Sequence, residues 1–126
     1  MTTSNTSDGS NTDILDPTVI QGLKDLGGSD DPRLFLEIVD LFLQDAPLRM
    51  EELERGLRQH DLPLVEMAAH TLKSSCANIG ALSLSTLCKR IEEKARSNDP
   101  AGLAELCKTS LQMWPRVVAA LNAVKS

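Results

Sequence analysis

His70 and Lys73 are the residues of this chain whose types and spacing best suit chemistry. They lie three positions apart in Ala68-Ala69-His70-Thr71-Leu72-Lys73-Ser74-Ser75-Cys76, which has the periodicity of a helix. At about 100° per residue, apolar side chains form a stripe almost opposite His70. That stripe consists of Val65, Ala68, Leu72, Cys76 and Ile79. His70 is therefore predicted to face water, with Lys73 and Ser74 one turn further along the same face.

An exposed imidazole can serve as a general base, a metal ligand or a nucleophile. Base-assisted hydrolysis needs a nucleophile and an orienting acid nearby, and the sequence has no strained nucleophile turn. A metal site is disfavoured: Glu66 lies four residues before His70, but the Glu-x-x-His pairs of bundle metal sites are absent. The other histidine, His60, falls at a predicted helix end.

The nucleophile interpretation fits these residues better. A neutral imidazole nitrogen of His70 can attack a phosphoryl group and hold it as a phosphoramidate, a transfer that needs mainly positioning and positive charge. Lys73 is suited to pair with a phosphate oxygen as a point charge, and Ser74 could donate its hydroxyl hydrogen. From His70 to Arg96 there are five cations and two acids, a local positive charge within a chain of net charge −5.

The sequence lacks the usual means of using a nucleotide. It contains neither a GxxxxGK[ST] loop nor a kinase-type glycine-rich loop, and Gly27-Gly28 is too short to cradle phosphates. The phosphoryl group of His70 is therefore expected to come from another protein or domain.

Composition predicts one helical domain. The chain has 126 residues, 41% of them hydrophobic, with only two Phe, one Trp and no Tyr. The acidic balance disfavours nucleic acid as a partner, no apolar run is long enough to span a membrane, and the polar N-terminus is not expected to be a secretory signal. Three cysteines without CxxC spacing are expected to be buried, reduced small hydrophobes in a cytoplasmic protein.

The helix signals predict an all-α fold, an antiparallel up-down four-helix bundle with one or two short accessory helices at the N-terminal end. Residues 1–13 are almost wholly polar and are expected to form a disordered tail or linker, followed by the domain at 14–126.

On the second helix, Leu34, Ile38, Leu41 and Phe42 are predicted to face inward, with Phe35 as a further candidate. The predicted helix starts and stops are Asp16-Pro17 to Gly27-Gly28, Asp31-Pro32 to about Gln59 with a kink or restart at Asp45-Ala46-Pro47, Asp61-Leu62-Pro63 to Gly80, Ala81 to Ser97, and Asp99-Pro100 onward with a bend at Pro115.

These motifs resemble the histidine-containing phosphotransfer (HPt) domains of bacterial multistep phosphorelays. The family motif His-x-x-Lys-Gly-Ser is matched by His70-Thr71-Leu72-Lys73-Ser74-Ser75, with Gly80-Ala81 following. The resemblance covers about residues 14–125. It includes Leu15-Asp16-Pro17, Leu41-Phe42-Leu43-Gln44-Asp45-Ala46-Pro47 and Leu87-Cys88-Lys89-Arg90-Ile91-Glu92.

The resemblance also implies roles for further residues. Ser74 stands where the family usually has Gly, so a partner backbone is expected to approach a small polar side chain there. The family often places a polar residue on the next helix within reach of the imidazole. The matching position is Glu92, whose carboxylate could orient the ring, with Arg96 one turn further.

The implied activity is that of a carrier. His70 would accept a phosphoryl group, at Nε2, from the aspartyl phosphate of a receiver domain and pass it to the aspartate of a second receiver. The partners implied are response-regulator receivers and a hybrid sensor histidine kinase. Mg²⁺ would be held by the receiver, so no cofactor is expected on this chain. Receivers would dock on exposed residues around the histidine, namely Glu66, Met67, Ser74, Ala77 and Lys89, and a monomer is expected.

Two other interpretations remain open at this point. A helical adaptor that binds signalling partners without being phosphorylated would need neither His70 nor Lys73 on its outer face. The dimerisation and phosphoacceptor region of a sensor kinase would have an acid after the histidine and a later proline. Thr71 and the absence of proline from 64 to 99 disfavour that reading. The sequence is equally compatible with a free-standing protein and with the C-terminal domain of a hybrid kinase.

Overall fold

The computed structural model describes residues 14–27 and 31–125 of the chain. Within these ranges the secondary structure is entirely helical, as predicted. The helices are α1 (Pro17–Leu26), α2 (Arg33–Arg58), α3 (Leu62–Asn78), α4 (Leu82–Arg96) and α5 (Leu103–Lys125). The tail predicted at 1–13, and Gly28 of the predicted stop after α1, lie outside the described residues.

Acidic residues before the helices satisfy free backbone N–H groups at their starts. The Asp16 carboxylate accepts a hydrogen bond from the Thr18 N–H at 2.8 Å, and Asp61 accepts one from Leu64 at 3.2 Å. The Asp31 carboxylate accepts one from the Arg33 N–H at 3.0 Å. Asp16 and Asp61 are thus the N-caps of α1 and α3, as predicted, and such caps stabilise the first turn by about 1 kcal/mol. The N-cap position of α2 is Pro32, so Asp31 binds the start of that helix from one residue further out.

α2 is one continuous helix through Pro47, so of the two predicted alternatives, a kink or a restart, the restart is wrong. Proline removes one backbone N–H from the helical ladder, which a long helix tolerates when packing holds both sides. Here Ala46 and Met50 are buried on either side of the exposed Pro47.

The inward face of α2 also differs from the prediction at two positions. Leu34 and Leu41 are exposed, at 39% and 65%, although both were expected in the core. The buried residues of this part of α2 are Phe35, Val39, Phe42 and Ala46. These follow the 3.6-residue period, so the buried face is rotated by about one residue from the predicted one.

The helices pack in a closed series. α2 contacts α3, α3 contacts α4, α4 contacts α5, and α5 returns to α2, while α1 rests on α2. The predicted apolar stripe of α3 is buried at every position: Val65, Ala68, Leu72, Cys76 and Ile79. None of the helices described at 14–27 and 31–125 is long and apolar enough to cross a membrane.

α1 is fastened to the turn between α3 and α4. The Asp16 N–H donates to the Gly80 carbonyl at 2.8 Å, and Gly80 has a φ of +86°. A Cβ at this position would lie 3.2 Å from the Val19 Cβ and 3.3 Å from the Asp16 carbonyl oxygen. Gly80 therefore provides both the left-handed turn after α3 and the close approach of α1.

Replacement of Gly80 by Ala should destabilise the protein by about 1–3 kcal/mol, since backbone strain adds to the close contact with α1. Gly102→Ala is the matched control, because Gly102 has a φ of +74° but nothing within 4 Å of its Cβ position. The measurement is the free energy of unfolding in urea. Equal losses of unfolding free energy in the two variants would show that the close contact of Gly80 with α1 does not contribute to stability.

Candidate functional site

The His70 side chain projects from the middle of α3 and is 61% exposed. Its helix is held from the opposite side by the buried apolar stripe, which begins with Val65 and ends with Ile79. The predicted outward direction of the imidazole is therefore the direction that the structure gives it.

A buried carboxylate on α4 contacts the inner side of this imidazole. Glu92 is only 2% exposed. Its Oε2 lies 2.7 Å from His70 Nδ1 and 2.6 Å from Arg96 Nη2, and its Oε1 lies 2.7 Å from Lys73 Nζ. One carboxylate thus binds two side chains of α3 and one of α4.

The charge state of Glu92 follows from these partners. Burial raises the pKa of its carboxyl, but hydrogen bonds and charges from Lys73 and His70 outweigh burial, and the pKa lies below its ordinary value. Glu92 is then ionised at neutral pH and can only accept hydrogen bonds. Because it only accepts, His70 must donate through Nδ1–H, and in the neutral ring the lone pair belongs to Nε2.

Lys73 lies beside the histidine but is already paired. Its side chain is 31% exposed, and its ammonium group is bound to Glu92. Its backbone carbonyl accepts a hydrogen bond from the Ser85 hydroxyl of α4 at 2.8 Å. Ser85 was not identified from the sequence, although it precedes Glu92 by two helical turns and so lies on the same face of α4.

Arg96 extends the network back to α3. Its Nε lies 3.0 Å from Glu66 Oε2 while its Nη2 holds Glu92, so the guanidinium bridges two carboxylates. The hydrogen bond with Glu66 and the charge of Glu92 raise the pKa of Arg96 above its ordinary value. Glu66, predicted as a docking residue, is therefore also part of this network.

The structure thus joins five residues that the sequence marks out for different reasons: His70, Lys73, Glu92, Arg96 and Glu66. The remaining predicted residues are placed on the surface around them. Met67 is 65% exposed, Ser74 and Lys89 are exposed, and Ala77 is half-buried.

The cysteines lie apart from this surface, and all are free and buried, as predicted. Hydrogen bonding with Cys88, together with burial, raises the pKa of the Cys76 thiol, and burial raises that of Cys107 to about 12. Such thiols stay protonated and unreactive. In the part of the chain that the structure describes, no three His, Cys, Asp or Glu side chains are grouped to hold a metal ion.

Replacement of Glu92 by Gln should lower the free energy of unfolding by about 1–3 kcal/mol at pH 7, because buried, charge-assisted hydrogen bonds are lost. The folded-state pKa of Glu92 is depressed, so its stabilisation is complete above the unfolded pKa of about 4.3 and is lost as pH falls through the folded value. The difference between wild type and Glu92→Gln should therefore shrink in acid. Glu93→Gln, at the exposed neighbouring position, is the control. If wild type and Glu92→Gln differ in stability by the same amount at pH 7 and pH 3, Glu92 is not the ionised, stabilising carboxylate described above.

Comparison with known proteins places this geometry in a family. A model of the Hpt domain matches residues 37–126. The crystal structure of histidine-containing phosphotransfer protein B (HptB) from Pseudomonas aeruginosa PAO1 is similar, with a TM-score of 0.82 and 23% sequence identity, covering 89% of this chain and 94% of that chain. At this identity the likeness shows a shared fold. A comparison with curated proteins gave no match. The family match spans most of the chain, and the chain therefore belongs to the Hpt domain family, whose members are histidine phosphotransfer carriers of phosphorelays.

Proposed function

We propose that His70 is the phosphoacceptor of this domain, loaded by the aspartyl phosphate of one receiver domain and unloaded onto the aspartate of another. The observation that carries the proposal is the contact between His70 Nδ1 and the buried, ionised Glu92, in a side chain that is 61% exposed. This contact supports a ring orientation in which Nδ1 is held by Glu92 and Nε2 is available to a partner.

In the proposed transfer step, one bond to phosphorus forms and one breaks. The Nε2 lone pair attacks phosphorus, the Nε2–P bond forms, and the P–O bond to the donor aspartate breaks. The electron pair of that bond leaves with the aspartate as a carboxylate. The ring keeps its proton on Nδ1 and becomes positively charged, and Glu92 stabilises that charge at 2.7 Å. Transfer to the second receiver is the reverse step with a different aspartate.

Lys73 and Ser74 are proposed to contact the phosphoryl oxygens. Lys73 lies one helical turn after His70, and its ammonium group has three donors on a flexible stem. Ser74 is exposed on the next position, where its hydroxyl can donate a hydrogen bond. As a carrier without an ATP site, the domain relies on the receiver for Mg²⁺ and needs no cofactor of its own.

We propose that receivers dock over the exposed surface around His70. Met67 offers a flexible apolar contact, Ala77 leaves room for the partner, and Lys89 adds positive charge toward an acidic phosphorylation pocket. Glu66 lies at the same edge. A hybrid sensor histidine kinase and a response regulator are the proposed sources of these receivers.

The proposed context of this activity is a cytoplasmic monomer. The closed series of α2–α5, joined by short turns, supports an antiparallel up-down four-helix bundle with α1 as the accessory helix. The three free, buried thiols suit a reducing compartment.

The direct test supplies a phosphorylated receiver and Mg²⁺ without ATP and follows acid-labile phosphate on this chain. Wild type should become labelled, and His70→Gln should lose the label entirely because its amide cannot form the phosphoramidate. His60→Gln is the matched control and should be labelled like wild type. Absence of transfer to wild type, or equal labelling of His70→Gln, would favour the non-phosphorylated adaptor instead.

A further inference from the structure

In the resting site, Lys73 is not free to meet a phosphoryl group. Its ammonium lies 2.7 Å from Glu92 Oε1 and would have to leave that oxygen to reach the phosphoryl oxygens. Glu92 is 2% exposed, and a buried carboxylate that loses its cations is strongly destabilised. When Lys73 leaves, the charge of Glu92 must therefore be balanced by its remaining partners, the His70 ring and Arg96.

Arg96 is placed to balance that charge. Its Nη2 lies 2.6 Å from Glu92 Oε2, the oxygen that Lys73 does not use. Its Nε is held by Glu66 at 3.0 Å, so two different N–H groups fix the guanidinium in place. A guanidinium anchored at two points is less able to follow a new anion than the single ammonium of Lys73.

We propose that Arg96 is a positioning residue that remains as the counter-ion of Glu92 and so allows Lys73 to move from Glu92 to the phosphoryl group on His70. This inference rests on the proposed function of His70. It makes Lys73 a mobile cation and Arg96 a fixed one, although both contact the same carboxylate.

The charges of the site support this division. With His70 neutral, the network contains two carboxylates, Glu66 and Glu92, and two cations, Lys73 and Arg96. A phosphoryl group adds about two negative charges on the outer side of the ring. The positive charge that the ring then gains remains with Glu92 through Nδ1, so Glu92 keeps two positive partners after Lys73 has left.

The test uses phosphoramidate as a small phosphoryl donor, so that receiver docking plays no part. The lifetime of the phosphohistidine is followed by ³¹P NMR at constant pH. Lys73→Ala should shorten the lifetime about tenfold, the effect of one charge-assisted hydrogen bond. Arg96→Gln should shorten it to a similar extent, and the double variant with Lys73→Ala should be no worse than Lys73→Ala alone.

The decisive comparison replaces the carboxylate. In a Glu92→Gln background no buried charge needs a counter-ion, so Arg96→Gln should have no further effect on the lifetime. Arg96→Lys should restore at least part of the wild-type lifetime, which a purely steric role would not explain. Thermal unfolding of each variant verifies that it is folded.

Three results would overturn the inference. A wild-type lifetime in Arg96→Gln would show that Lys73 moves without help. A loss that persists in the Glu92→Gln background, or that adds to Lys73→Ala, would show that Arg96 binds the phosphoryl group itself. If wild type forms phosphohistidine neither with phosphoramidate nor with a phosphorylated receiver, the proposed function itself is overturned, and this inference with it.

Discussion

The buried carboxylate of Glu92 is the constraint on which the rest of the site depends. A charge at 2% exposure must be matched by donors, and here a histidine, a lysine and an arginine supply them. Meeting that requirement determines which nitrogen of His70 carries the proton and where Lys73 rests. The protonation of the exposed ring is thus set from beneath it, by a residue that has almost no surface of its own.

The fold provides this arrangement through the pairing of α3 with α4. The apolar stripe of α3 fixes its rotation, so His70 faces out while Leu72 and Cys76 face the core. The Ser85 hydroxyl, bound to the Lys73 carbonyl, links the two helices close to the site. The turn between α3 and α4 then holds α1, through the hydrogen bond from the Asp16 N–H to the Gly80 carbonyl.

Some features of the helices could be predicted from the sequence and others could not. The starts of α1, α2 and α3 and the exposure of His70 followed from local signals, namely prolines preceded by aspartate and the 3.6-residue period. The Asp99-Pro100 signal was misleading, since α5 begins only at Leu103. The buried face of α2 was misjudged at Leu34 and Leu41, because a helix rich in apolar residues offers more than one possible stripe and only its neighbours decide between them. Of the kink or restart predicted at Pro47, the restart was wrong for a similar reason, since packing on both sides keeps the helix continuous.

How well the site could be predicted depended on how far apart its residues lie in the sequence. The His70–Lys73 pair is visible in one helical turn, whereas Glu92 was selected only through the family resemblance. Its position four residues after the buried Cys88 was a usable signal, since it places an acid on the buried face of α4. The contact of Arg96 with Glu66 spans thirty residues and depends on the relative placement of two helices, which no local pattern contains.

We propose that ionised Glu92 holds the proton of His70 on Nδ1 and leaves Nε2 as the nucleophile. The most direct measurement is a long-range ¹H–¹⁵N correlation spectrum of the histidine rings, at a pH where they are neutral, with exposed His60 as the internal reference. We predict a protonated Nδ1 and an unprotonated Nε2 for His70, and loss of that preference in Glu92→Gln. A His70 ring protonated on Nε2 in the wild-type protein would overturn this role of Glu92.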